Sequence, residues 1–139
     1  MASCGMSEFA WPVRVYYEDT DSGGVVYYAN YLKFMERARS ELLRAHGFEQ
    51  TDLISDHGVI FVVRDVHISY LRPAVFNDLL NVTVSVHAAG RSWIEFAQTV
   101  ERGGDILSRA QIKIVCVNHL SFKPVEIPEI IRKKMEISS

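Results

Sequence analysis

The sequence predicts an α+β domain in which an antiparallel sheet packs against one long helix. The apolar pattern changes along the chain, from helical spacing over 30–46 to two-residue spacing or continuous apolar runs over 59–71, 80–87, 94–100 and 106–116. One more strand-like segment, 11–17, precedes the helix. Because the helix has one strong apolar stripe, the sheet is the only partner large enough to bury it.

The helix is predicted over Asn30–His46, with Asn30 as its N-cap and Gly47 as its C-terminal stop. Its apolar stripe consists of Tyr31, Met35, Ala38, Leu42 and Ala45. The charged residues occupy the other positions and are expected in solvent or in ion pairs, namely Lys33, Glu36, Arg37, Arg39 and Arg44.

The strands differ in their expected burial. The segment 11–17 alternates, with Val13, Val15 and Tyr17 on one face. The segment 59–71 begins with five consecutive apolar residues, which predicts a strand buried on both faces. The last three strands are expected to form a meander whose final turn contains Gly103 and Gly104. Short helices are expected within 49–58 and 130–135.

Length and composition predict a single domain over residues 1–139, of which 1–10 are expected to be flexible. The net charge of −2 gives no electrostatic case for a nucleic-acid partner or an anionic membrane. No apolar run is long enough to span a bilayer, and the start does not resemble a signal peptide. The two cysteines, Cys4 and Cys116, predict no disulfide framework, which favours a cytoplasmic location. Neither cysteines nor histidines show metal-ligand spacing, so no metal is expected.

The segment 16–31 contains the candidate catalytic groups. It places Asp21 before a glycine pair, Gly23 and Gly24, and then leads into the long helix. A carboxylate near glycine-freed amides and the positive end of a helix dipole is suited to attack and polarise a carbonyl. Taken alone, the residues favour the simpler interpretation of Asp21 as a turn former. No serine or cysteine lies in a nucleophile-elbow motif.

The same segment, continued by Phe34-Met35-Glu36-Arg37-Ala38-Arg39, resembles the hotdog-fold acyl-CoA thioesterases. Within them it is similar to the 4-hydroxybenzoyl-CoA thioesterase branch, and most similar to the Tol–Pal-associated acyl-CoA thioesterases of bacteria. The resemblance is strongest over 11–44 and continues more weakly through Phe61-Val62-Val63-Arg64, Tyr70, Arg72-Pro73-Ala74 and Val115-Cys116-Val117. It implies a hotdog fold, in which a curved antiparallel sheet wraps one central helix. It also implies homodimers joined sheet edge to sheet edge, which often pair again into tetramers.

The resemblance implies roles for particular residues. Asp21 matches the catalytic carboxylate, which acts as nucleophile or as general base for water. The backbone amide of Tyr28 matches the donor to the thioester carbonyl oxygen. Substrate contacts are expected from Gly24 and Val25, and from Arg91 and Ser92, which match a turn that helps to hold coenzyme A. Coenzyme A is then part of the substrate, and no cofactor is implied.

One position departs from the closest branch, because Tol–Pal-associated members usually carry histidine where this chain has Tyr28. A tyrosine still supplies the backbone donor. Two other functions remain open: a non-catalytic module that binds acyl-CoA or acyl carrier protein, and a hotdog dehydratase, which would need a histidine absent from 18–30. Arg91 could equally be a solvated hairpin tip, and the basic residues Lys123 and 132–134 are interpreted as a solvated surface.

Overall fold

The computed structural model describes residues 8–136. In chain order the elements are β1 (Phe9–Arg14), a 3₁₀ turn (Tyr17–Asp19), α1 (Tyr28–Ala45), α2 (Gln50–His57), β2 (Val59–Tyr70), β3 (Leu79–Ala89), β4 (Trp93–Arg102), β5 (Asp105–Asn118) and α3 (Glu129–Lys134). This is the predicted α+β order, and each predicted helix and strand is present.

The five strands form one antiparallel sheet in the order β1-β3-β4-β5-β2. The predicted meander β3-β4-β5 is confirmed. Arg102 pairs with Asp105 across the last turn, and Gly103 and Gly104 have φ values of 56° and 99°. Two consecutive positive φ values are typical of a tight primed hairpin turn, which the glycine pair permits.

Helix α1 lies across one face of this sheet and contacts β1, β3 and β4. Its eighteen residues span roughly 27 Å. Tyr31, Met35, Ala38 and Leu42 of the predicted stripe are buried, whereas Ala45 in the last turn is exposed. The sheet supplies the other half of the core through alternating residues such as Val82, Val84, Phe96 and Ile112.

The ends of α1 show one wrong prediction and one correct one. Asn30 is not the N-cap, because the helix begins at Tyr28 and Asn30 is buried within its first turn. The C-terminal prediction is confirmed: Gly47 has a φ of 89°, and its N–H donates to Arg44 O at 3.0 Å. This positive φ is the reason that glycine ends the helix.

Three predictions about strand limits and burial are wrong. Strand β1 ends at Arg14, and Tyr17 lies in the 3₁₀ turn with 79% of its surface exposed. Strand β2 is not buried on both faces of this chain, because it is an edge strand in which Val63 is 50% exposed. Residues 9 and 10, expected to be flexible, begin β1, while 1–7 of that expected segment lie outside the described residues.

Arg39 also departs from its predicted place in solvent. It is only 9% exposed, and its Nη1 donates to Gln98 Oε1 at 2.8 Å, while Gln98 Nε2 donates to Met35 O at 3.1 Å. Desolvation lowers the pKa of Arg39 to about 10. The guanidinium is therefore held at the helix–sheet boundary by a polar side chain of β4.

Candidate active site

A cavity of about 460 Å³ opens where the loop after β1, the start of α1 and the end of β2 meet. Its lining includes one carboxylate, four tyrosines and one arginine, and consists of Asp21, Val25, Val26, Tyr27, Tyr28, Tyr31, Tyr70, Leu71, Arg72 and Pro73. Of the six predicted site residues, the structure brings Asp21, Val25 and Tyr28 to this cavity. Gly24 lies in the same turn, next to Val25.

Asp21 begins a tight turn. Its N–H donates to Val25 O at 2.9 Å, and its C=O accepts the N–H of Gly24 at 3.0 Å. Its carboxylate Oδ1 accepts the N–H of Gly23 at 2.8 Å. Gly24 has a φ of 82°, a conformation that favours glycine, and a Cβ at Gly23 would lie 3.3 Å from Asp21 Oδ1. The two interpretations of Asp21 therefore do not exclude each other, since one oxygen shapes the turn while the side chain lines the cavity.

Asp19 and Asn30 fix this loop to the helix. The Asn30 side-chain amide donates to the backbone O and the Oδ1 of Asp19 at 3.2 and 3.3 Å. The N–H of Tyr27 donates to the same backbone oxygen at 3.2 Å, and Asp19 Oδ2 accepts the N–H of Tyr16 at 2.9 Å. Asn30 is thus a tether between the acidic loop and α1, which explains its burial.

The backbone N–H of Tyr28 lies at the first position of α1, where helix amides have no partner within the helix. Within residues 8–136 no hydrogen-bond acceptor for this N–H is present. The positive end of the helix dipole adds to its attraction for a negative oxygen. Two residues that line one cavity thus bear a carboxylate and an uncommitted amide donor, groups that are suited to attack a thioester carbonyl and to stabilise its oxyanion.

Three tyrosines form one wall of the cavity. The rings of Tyr28 and Tyr70 lie 4.5 Å apart between centroids, and Tyr31 meets Tyr70 edge-on at 5.3 Å. The Tyr70 hydroxyl donates to Tyr28 O at 3.2 Å, and the Tyr31 hydroxyl accepts the Ala74 N–H at 2.9 Å. Burial raises the pKa of Tyr31 above the usual phenol value, and the shallower burial of Tyr70 also raises its pKa. Both phenols therefore stay protonated at neutral pH and contribute donors and ring surface.

Arg91 and Ser92 lie at the other end of the sheet, in the hairpin between β3 and β4. Ser92 O accepts the N–H of Cys116 at 2.7 Å, near the start of β2, whereas the cavity adjoins the end of β2. The ten residues of β4 separate the two places by roughly 33 Å. One chain therefore does not bring Arg91 and Ser92 together with Asp21.

Sequence reasoning did not select Tyr31, Tyr70 or Arg72 as site residues. Tyr31 fits the apolar stripe and Tyr70 fits the strand alternation, so neither pattern signals a cavity wall. Arg72 pairs with Asp105 at 3.6 Å between exposed side chains at the cavity mouth. Across 8–136 there is no group of histidine, cysteine and carboxylate side chains that could hold a metal ion. Nor does any helix in that range have the length and apolar character to cross a membrane.

Comparison with known proteins assigns the family. The model of the thioesterase-like superfamily matches residues 15–135. The acyl-CoA thioester hydrolase YbgC of Escherichia coli O6:H1 is 43% identical over 124 residues, covering 88% of this chain and 92% of that protein. The acyl-CoA thioesterase YbgC of Haemophilus influenzae is 44% identical and covers 89% and 91%.

A solved structure supports the same assignment. The crystal structure of a probable thioesterase from Bartonella henselae superposes with a TM-score of 0.84 at 36% identity, covering 88% of this chain and all of that one. These matches bear out the resemblance drawn from the acidic loop and helix start. The chain therefore belongs to the thioesterase-like superfamily, has the hotdog fold and is a thioester hydrolase.

Proposed function

We propose that this protein hydrolyses acyl-CoA thioesters to a free carboxylic acid and coenzyme A, in the cavity lined by Asp21 and Tyr28. The observation that carries the proposal is their shared cavity: it is lined by Asp21, which bears a carboxylate, and by Tyr28, whose helix-start amide has no partner in the described structure. The names of the YbgC relatives, which are acyl-CoA thioesterases, support this substrate class.

The proposed reaction uses few groups. The Asp21 carboxylate attacks the thioester carbonyl carbon, or removes a proton from a water that attacks it. The carbonyl electrons move onto oxygen, and the developing negative charge is stabilised by the Tyr28 N–H. Collapse of this intermediate breaks the carbon–sulfur bond and releases the coenzyme A thiolate, which takes up a proton. If Asp21 is the nucleophile, water then hydrolyses the resulting anhydride; in both routes one water is consumed for each thioester.

The exposed edge of β2 supports a second part of the proposal, a homodimer with two shared sites. Strand β2 is a twelve-residue edge strand whose Val63 and Val66 side chains are exposed, which is unusual unless another strand covers the edge. Antiparallel pairing of two β2 strands would place the end of one beside the start of the other. The Arg91–Ser92 hairpin of a second copy would then approach the cavity of the first and bind coenzyme A there.

Dimers or dimers of dimers remain the assembly that we propose, and the cytoplasm remains the proposed location. The buried Cys116 is a free thiol, in keeping with a reducing compartment. Burial also raises its pKa to about 11, which makes it a poor nucleophile at neutral pH.

Substitution of Asp21 tests the proposed chemistry. Asp21→Asn keeps a side-chain oxygen that can accept the Gly23 N–H, so the turn is retained while the charge is removed. We expect thiol release from short, long and aromatic acyl-CoAs to fall about 10²–10⁴-fold with an unchanged melting temperature. Asp52→Asn, on the exposed surface of α2, is the matched control and should retain full activity. Equal turnover by wild type and Asp21→Asn would reject the Asp21 mechanism, and wild-type binding of acyl-CoA without turnover would favour a binding module.

A further inference from the structure

Arg132 of α3 holds the backbone of the hairpin that carries Arg91. Arg132 is only 5% exposed, although the sequence predicts a solvated basic stretch there. Its Nη2 donates to the carbonyl oxygens of Gly90 and Arg91, the latter at 3.0 Å. The N–H of Ile127 donates to the same Arg91 oxygen at 2.9 Å. Both carbonyls at the hairpin tip therefore have hydrogen-bond donors within the protein.

The indole ring of Trp93 packs against the backbone of the same hairpin at Gly90. The N–H of Gly90 donates to Trp93 O at 2.9 Å, and a Cβ at Gly90 would lie 2.1 Å from Trp93 Nε1. Lys113 Nζ lies 4.3 Å from the ring centroid of Trp93. Close packing of this kind leaves the backbone of the hairpin little freedom to move.

The backbone of Arg91 is held in place, but its side chain is exposed to solvent. It is 81% exposed, and its Nη2 lies 3.7 Å from Glu126 Oε1, itself on an exposed side chain. An exposed ion pair at this distance contributes little and is readily exchanged for another anion. The hairpin thus has a rigid backbone and an available guanidinium, which suits recognition of a phosphate.

Structural support alone does not explain why an arginine is buried at position 132. In the described part of the chain its Nη1 is buried without a hydrogen-bond partner, and no carboxylate lies within salt-bridge distance of it. A buried charge without a counter-charge lowers stability, and a buried orphan donor calls for an explanation.

We propose that Arg132 is a positioning residue that holds the Arg91 hairpin in the geometry needed to bind the phosphates of coenzyme A. This inference rests on the proposed function. Arg132 touches neither the thioester nor the phosphates, and acts through the backbone of Gly90 and Arg91. It therefore sets the affinity for thioesters that carry the nucleotide part of coenzyme A, and has no influence on the chemical step.

Kinetics with two substrates test this role. The same acyl group is presented as its coenzyme A thioester and as its pantetheine thioester, which lacks the nucleotide and its phosphates. We expect Arg132→Met to raise KM for the coenzyme A thioester roughly tenfold, with kcat within about twofold and the pantetheine KM unchanged. Arg132→Lys keeps the charge and some donors, so it should recover part of the affinity.

A double variant and a control complete the design. Because both arginines act on one contact, Arg91→Met with Arg132→Met should raise KM no more than Arg91→Met alone. Lys133→Met, on the exposed side of the same helix, should leave both KM values unchanged. Additive effects, equal losses with both substrates or an unaltered KM in Arg132→Met would overturn the role of Arg132.

Binding measurements separate this inference from the function on which it rests. If wild type hydrolyses neither thioester, the proposed function fails, and calorimetry with coenzyme A and pantetheine still tests the hairpin. Weaker binding of coenzyme A by Arg132→Met, with pantetheine binding intact, supports the inference, and unchanged coenzyme A binding rejects it. If Arg132→Met does not fold, the same comparisons with Arg132→Lys decide, since a lysine lacks the planar fork that spans two carbonyls.

Discussion

At the residue scale, the candidate chemistry depends on a side chain at position 21 and a backbone group at position 28. Asp21 contributes a carboxylate whose Oδ1 is oriented by the Gly23 N–H. Tyr28 contributes an amide that any residue except proline would supply. This separation explains how the chain can carry tyrosine where the most similar branch usually carries histidine and still retain the oxyanion donor that we propose.

The role of the Tyr28 amide can be tested without altering the helix. Tyr28 is the first helical residue, where proline is well tolerated, and Tyr27 before it has φ −56° and ψ 141°, which suit a residue preceding proline. We expect Tyr28→Pro to lower kcat about 10²–10³-fold relative to Tyr28→Ala, which also lacks the ring but keeps the N–H. Steady-state thiol release by the two variants measures the difference. Similar kcat values would mean that this amide does not stabilise the oxyanion.

At the element scale, local patterns predicted what depends on local physics. Helix α1 and the meander were predicted from the spacing of apolar side chains, which is helical in one and alternating in the other. The Gly103–Gly104 turn was predicted from the backbone freedom of glycine. Asp21 could be selected because a carboxylate, a glycine turn and a helix start lie within ten residues. These features require no knowledge of distant neighbours.

Features set by distant neighbours were not predicted correctly. The edge position of β2 depends on strand order, which the apolar run at 59–63 does not encode. Arg39 and Arg132 are buried because each guanidinium finds hydrogen-bond acceptors on a distant part of the chain. Arg39 donates to Gln98, and Arg132 donates to the carbonyls of Gly90 and Arg91. Asn30 has the right side chain for an N-cap, yet it bonds to Asp19, eleven residues earlier.

The Asn30 tether joins α1 to the acidic loop that carries Asp21, so its loss should affect stability and, under the proposed mechanism, rate. We expect Asn30→Ala to lower the free energy of unfolding by about 1–3 kcal/mol, because the Asp19 oxygens lose a buried donor. Asn30→Asp should be worse, since it would place a second carboxylate near Asp19 Oδ1. Urea denaturation and kcat measurements check this order. Lys33→Ala, exposed on the same helix, is the control, and an Asn30→Asp variant as stable as Asn30→Ala would contradict the tether.

At the scale of the whole molecule, the distance between Asp21 and Arg91 is the decisive feature. The two lie at opposite ends of the sheet, and the open edge of β2 supports a pairing that would bring one to the other across two chains. Under this proposal, each of the two sites takes its carboxylate from one chain and its phosphate-binding hairpin from the other.

Mixed dimers test the shared site directly. A dimer of one Asp21→Asn chain and one Arg91→Met chain would combine both lesions in one site and leave the other site intact. We expect such heterodimers, purified through two different tags, to recover about half of the wild-type kcat/KM, although each homodimeric variant is impaired. Recovery no greater than the mean of the two homodimers would mean that each chain builds its site alone.

The open β2 edge has a further consequence for how this protein would behave at low abundance. If catalytic sites form only where two such edges meet, the quantity that turns over thioesters is the number of paired chains. Below the dissociation constant of the pair, the rate would then rise with the square of chain concentration. In that range, halving the amount of the protein would lower the rate of thioester hydrolysis about fourfold instead of twofold.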